Sequence, residues 1–133
     1  MAVRPVDEAI LLRFEFDRDA ITAVRHDIAG LATAAGLAGL RLEGFVLAVN
    51  EIMTNAVRHG GGRGLLLLMR TAAGLRCVIS DKGSGEPARF DGRALPPTDA
   101  TGGRGLWLAR HLCDSFDVET GGDGTRVQLT MAI

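Results

Sequence analysis

Three short stretches of this chain hold side chains whose types and spacing can do chemistry. Glu51 and Asn55 stand four residues apart and His59 four further on, a spacing that stacks them on one face of a helix. An Asn oxygen is a ligand for Mg²⁺, and a Glu one turn away can orient or deprotonate an attacking hydroxyl or water. The plainer alternative is a solvated helix face, with His59 favoured by the dipole at the C-terminal end. The second stretch, Asp81-Lys82-Gly83-Ser84-Gly85, puts a carboxylate at the end of an apolar run, followed by glycines. Such a carboxylate could accept a hydrogen bond from an exocyclic amine while a flat ring lies on bare backbone, although an ordinary turn has the same composition. The third, Thr101-Gly102-Gly103-Arg104-Gly105-Leu106, directly precedes an apolar helical pattern. Free amides at a helix start attract phosphate, and Arg104 could add a charged donor; a flexible lead-in to the helix is the bland reading.

Two familiar phosphate motifs are excluded. The glycine stretches lack the Gly-Lys-Ser/Thr ending of a Walker loop, and the only lysine, Lys82, lies elsewhere. No helix follows Gly85 directly, as a dinucleotide fingerprint requires. A metal-ligand helix, an amine-reading carboxylate and a phosphate-binding helix start together supply the parts of a site for ATP with Mg²⁺.

The elements that must position these residues follow from periodicity. Leu12, Phe14 and Phe16 alternate with Arg13, Glu15 and Asp17, which predicts a half-buried strand over 11–16. Asp17 or Asp19 can cap a helix from Ala20 to Ala35, whose apolar positions recur at three and four residues and which stops at Gly36. A second helix is predicted over 41–58, with Phe45, Val49, Ile52 and Ala56 on its apolar face and Gly60 to Gly62 ending it. Strands over 64–71 and 75–80 form a hairpin, apolar enough on both faces to be central. Residues 81–101 read as a long loop with Pro87, Pro96 and Pro97, whose part from Glu86 to Ala100 is expected to close over nucleotide. A third helix starts near Gly105, and strands over 115–120 and 125–131 flank the hairpin signal Gly121-Gly122-Asp123-Gly124. Helices that follow one another, with hairpins too short for crossovers, predict an α+β two-layer sandwich. Its sheet is mixed and mostly antiparallel, with the helices on one face.

Composition narrows the function classes. A chain of 133 residues with 47% apolar content holds one sizeable core. The formal charge of −1, from 15 basic and 16 acidic residues, gives no field that would draw a nucleic-acid backbone. Cys77 and Cys113 lie in apolar stretches without metal or redox spacing and are expected to be reduced and buried. The longest apolar run, Leu65 to Met69, is far too short to span a membrane. Asp7 and Glu8 interrupt the opening residues, so no secretory signal is expected and the cytoplasm is the predicted location.

Four ordered motifs carry a family resemblance. Glu51 to Gly60 resembles the N-box of the Bergerat-fold, or GHKL, ATPases and kinases, and Asp81-Lys82-Gly83-Ser84-Gly85 resembles their first glycine box. Gly103-Arg104-Gly105-Leu106 is similar to the second glycine box, and Gly124-Thr125-Arg126-Val127 to the segment that leads into the last strand. The resemblance covers residues 10–132 as a single histidine-kinase-like ATP-binding domain. It implies that Asp81 reads adenine with support from Thr125, that Asn55 binds Mg²⁺, and that Gly103 and Gly105 face the phosphates. His59, Gly83, Gly85, Arg104 and Leu106 complete the implied nucleotide contacts. Within the family the sequence looks most like the anti-sigma-factor serine/threonine kinases. That likeness implies Glu51 as catalytic base, a Ser or Thr of an anti-anti-sigma protein as acceptor, a sigma factor as a further partner, and a homodimer. Lys82, where Asn is common in the family, and the proline-containing lid depart from the pattern. A non-enzymatic ATP-binding anti-sigma or adaptor module is the alternative.

Overall fold

The computed structural model describes residues 8–83 and 104–133. In chain order these form strand β1 (Ala9–Asp17), a 3-10 turn (Arg18–Ala20), helices α1 (Ile21–Ala35) and α2 (Gly39–His59), and strands β2 (Arg63–Arg70) and β3 (Gly74–Asp81). Helix α3 (Arg104–Leu112) and strands β4 (Ser115–Gly121) and β5 (Gly124–Ala132) follow. The strands form one sheet in the order β1-β2-β3-β5-β4, and each pairing among them is antiparallel. The helices cover one face, so the α+β sandwich expected from the sequence is the fold observed.

Local chemistry sets the element ends. Asp17 Oδ1 accepts a hydrogen bond from the Ala20 amide at 3.1 Å, which starts the 3-10 turn that feeds α1. α1 stops at Gly36, whose amide donates back to the Ala32 and Thr33 carbonyls. Thr71 and Gly74 exchange backbone hydrogen bonds of 2.8 and 3.3 Å to close the β2–β3 hairpin. α2 begins two residues earlier than the periodicity alone predicts and runs to His59.

The core lies between sheet and helices. Leu66, Leu68, Leu75, Cys77, Ile79, Leu129 and Met131 face inward from the strands, against Val24, Ile28, Phe45, Val49, Ile52 and Met53 from α1 and α2. Burying each such side chain stabilises the fold by about 1.5–3 kcal/mol before chain entropy is counted. Phe14 keeps the register of Leu12 and Phe16, pairing with Leu66, yet remains 36% exposed because β1 is the edge strand and its side chain is incompletely covered. Cys77 and Cys113 are free thiols in the core, as expected. Burial pushes the Cys113 thiol up to about 12, and burial followed by the nearby Cys113 raises Cys77 as well, so neither is a ready nucleophile. Among the described residues, no helix is long and apolar enough to cross a membrane. The expected lid, Glu86 to Ala100, lies outside the described residues.

Candidate functional site

Helix α2 is the platform. Phe45, Val49, Ile52, Met53 and Ala56 anchor it to the sheet, which fixes the rotation of its other faces. Gly44 lies against α3, where a Cβ would approach Leu112 Cβ to 3.4 Å. Glu51 and Asn55 follow Gly44 along the same helical stripe, so the half-buried carboxylate and amide share the α3 flank of α2. His59, at the end of α2, is exposed.

The second part of the site stands on the sheet. Asp81, the last residue of β3, is the cross-strand partner of Thr125 on β5, and both are half-buried. Asp81 Oδ1 accepts a hydrogen bond from the Gly83 amide at 2.9 Å, which bends the chain away from the sheet. Among the described residues no hydrogen bond reaches Oδ2, so this oxygen keeps its acceptor capacity for an external donor.

The two parts meet where side chains are missing. A Cβ on Gly60 would lie 2.2 Å from Asp81 Cγ and 2.5 Å from Asp81 Oδ2, so the carboxylate occupies the space that any other residue would fill. Gly83 is equally close, with its hypothetical Cβ 2.5 Å from Gly60 Cα. Gly124 has φ +120° and would drive a Cβ to 1.9 Å from the Asp81 carbonyl oxygen. The end of α2, the turn after β3 and the start of β5 are therefore locked together by direct backbone contact around Asp81.

Of the residues singled out in the sequence, Asp81, Gly83 and Thr125 converge with the end of α2 at His59, and Glu51 and Asn55 occupy one flank of that helix. Arg104, Gly105 and Leu106 form the first turn of α3, the helix that packs beside that flank. Gly85 and Gly103 lie outside the described residues. Sequence reasoning read Gly60 and Gly124 as a helix stop and a hairpin residue and placed them at the ends of two family motifs, but missed their close approach to Asp81. Their partners are distant in sequence, and the only signal was that each stands at the end of such a motif.

The donor set fits a nucleotide-borne cation. Among the described residues there is no group of three or more His, Cys, Asp or Glu side chains able to cage a metal. Mg²⁺ does not require one, since it keeps waters and is held by one or two protein ligands plus substrate phosphates. A single amide oxygen from Asn55 is compatible with that mode. Asp81 Oδ2, which accepts no hydrogen bond among the described residues, suits an amine donor.

The chain matches a family model described as the histidine kinase-like ATPase domain over residues 14–131. No curated protein matches it in sequence. Among solved structures, the RsbU and RsbW domains of Rv1364c from Mycobacterium tuberculosis superpose with a TM-score of 0.63 at 19% identity, covering 91% of this chain and 32% of that one. The histidine kinase domain of the Erythrobacter litoralis EL346 blue-light activated histidine kinase superposes with a TM-score of 0.57 at 22% identity, covering 84% and 60%. This chain thus spans about a third of the first protein and three-fifths of the second, and at these identities the likeness is one of fold.

Proposed function

Because this chain belongs to the histidine kinase-like ATPase domain family, we propose that it is a cytoplasmic ATP-binding regulatory protein that acts as an anti-sigma-factor serine/threonine kinase. The observation that carries the reading is the glycine-lined junction, which leaves Asp81 Oδ2 open between the end of α2 and the start of β5. Asp81 accepts a hydrogen bond from the adenine amine, with Thr125 beside it on the neighbouring strand. Gly83 lets the turn after β3 close against Gly60 and so holds the Asp81 carboxylate in place, and Gly85, two residues on in the same motif, is assigned to the nucleotide by the family resemblance. Gly103, Arg104, Gly105 and Leu106 present the start of α3 to the phosphates, and His59 borders the site at the end of α2. Mg²⁺, when bound, would neutralise charge on the phosphate oxygens, and Asn55 would contribute an oxygen ligand.

In the transfer step the hydroxyl oxygen of an acceptor Ser or Thr forms a bond to the γ-phosphorus as the bond to the ADP oxygen breaks. Glu51 takes the hydroxyl proton. The acceptor is a Ser or Thr of an anti-anti-sigma protein, and a sigma factor is the further partner of a homodimer. The likeness in fold to the RsbU and RsbW domains of the M. tuberculosis protein supports this choice.

The experiment is a labelled-ATP transfer assay with a Ser- or Thr-bearing regulator that co-purifies with the protein. Glu51→Gln should still bind nucleotide but transfer phosphate about 10²–10⁴-fold more slowly. Wild-type transfer rates in that variant would remove Glu51 as base. Absence of transfer by the unaltered protein would favour a non-enzymatic ATP-binding adaptor.

A further inference from the structure

The other flank of α2 carries a second feature. A cleft of about 650 Å³ opens between the start of α1 and the end of α2, lined by Arg18, Ile21, Thr54, Val57, Arg58 and His59. A volume in the range of about 300–1,000 Å³ is that of a ligand site and exceeds the needs of a bare ion. It is separate from the stripe of Gly44, Glu51 and Asn55, since Val57 and Thr54 project toward the α1 side of the helix.

The chemistry of the lining selects an anion on an apolar body. Arg18 and Arg58 are both exposed, and neither side chain has an ion pair or hydrogen bond among the described residues. Asp17, beside Arg18, is occupied at Oδ1 by the Ala20 amide. The Thr54 hydroxyl donates to the Asn50 carbonyl at 2.9 Å, so the donors offered to a ligand are the two guanidinium groups and the imidazole. Cations in the last turn of α2 also complement its dipole, which would account for Arg58 and His59. It does not account for Arg18, which reaches the same cleft from a different element. Between these donors Ile21 and Val57 supply an apolar wall.

We propose that this cleft is a docking site for an acidic segment of a partner protein, in which carboxylates pair with Arg18 and Arg58 while an adjacent apolar side chain lies on Ile21 and Val57. The guanidinium forks suit carboxylates bidentately, and the wall gives a reason for a polypeptide rather than a free anion. The site does not depend on the nucleotide reading: the two share His59 at the end of α2, but Arg18, Ile21, Val57 and Arg58, which carry the proposal, have no part in that reading.

The test is an NMR titration of the full-length ¹⁵N-labelled protein with a peptide of alternating glutamate and leucine, beside its glutamine–leucine counterpart. The glutamate peptide should shift the amides of Arg18, Ile21, Thr54, Val57 and Arg58. It should bind about tenfold more tightly than the glutamine peptide, weaken as salt rises, and lose about tenfold in affinity in the Arg18→Ala, Arg58→Ala double variant. Saturating Mg-ATP should leave this binding in place. Equal affinity for the two peptides, shifts centred on other residues, or an unaltered affinity in the double variant would overturn the proposal. Displacement of the peptide by an equal concentration of inorganic phosphate would also overturn it, by showing a site for bare anions.

Discussion

The two ends of α2 are held in opposite ways. At the start, Arg41 forms a two-pronged pair with Asp114, with Nη1–Oδ1 3.2 Å and Nη2–Oδ2 2.7 Å, and Nη2 also donates to the Ala132 carbonyl at 2.9 Å. The Ala132 amide donates to Asp114 Oδ2 at 2.6 Å, so one carboxylate ties α2, the turn after α3 and the end of β5. All of this stands in solvent, with the two side chains 50% and 39% exposed. At the other end there is no side-chain tie among the described residues: the backbone at Gly60 abuts the Asp81 carboxylate, and Gly124 abuts the Asp81 carbonyl. A solvated ion pair gives way under substitution, whereas a backbone contact does not admit one carbon atom. The chemistry attributed to this protein lies at the end that cannot give way, where a misplaced carboxylate would cost binding.

If that contrast is right, the largest effect should come from Gly124→Ala. A Cβ there meets the Asp81 carbonyl oxygen, and the residue must also hold a positive φ, which together should destabilise by about 2–4 kcal/mol in urea unfolding. Gly60→Ala comes next, at about 1–3 kcal/mol, since no positive φ is needed there. Its Cβ meets the Asp81 carboxylate, which can rotate at the expense of its hydrogen bond to Gly83, and the Ala56 carbonyl oxygen at 2.5 Å, which must shift with the last turn of α2. In a folded Gly60→Ala protein, nucleotide affinity should fall more than stability. A loss confined to stability would separate the junction from the site.

The Arg41 end should respond far less. Asp114→Asn is expected to cost about 1 kcal/mol or less, as exposed ion pairs do. A cost matching Gly124→Ala would erase the contrast between the ends. The smallest effect is in the pH profile. The hydrogen bond from Arg41, followed by that from the Ala132 amide, holds the Asp114 carboxyl below its ordinary range. Its contribution is therefore present above the unfolded value of about 3.9 and disappears as pH falls through the lower folded value. Urea midpoints measured toward acid pH should drop less steeply in Asp114→Asn than in the unaltered protein.

Much of this was legible in the sequence, and for physical reasons. The period-two and three-to-four patterns of Leu12 to Phe16 and of Phe45 to Ala56 follow from which faces must leave water, so strand, helix and layer assignments came directly from them. Glu51, Asn55 and Asp81 could be singled out as candidates because each is a polar residue beside an apolar pattern that does not need it, whereas Thr125 was reached only through the family resemblance. The junction was not, because a glycine's role in a close approach depends on what folds against it. The pairing of Arg41 with Asp114, 73 positions away, was invisible for the same reason, as was the meeting of Arg18 with Arg58. The exposure of Phe14 was missed because alternation shows which side a residue faces, not whether an edge strand is covered.

Asp81 as the reader of the nucleotide carries the functional assignment. Isothermal titration of Mg-ATP into the unaltered protein and into Asp81→Asn measures this, because the amide can turn a donor toward the adenine amine where the carboxylate offered only an acceptor. Saturable binding by the unaltered protein and a loss of more than about tenfold in the variant, equivalent to about 1.4 kcal/mol or more, is the predicted result. Equal affinity in a folded Asp81→Asn protein, or no binding by the unaltered protein, would contradict it.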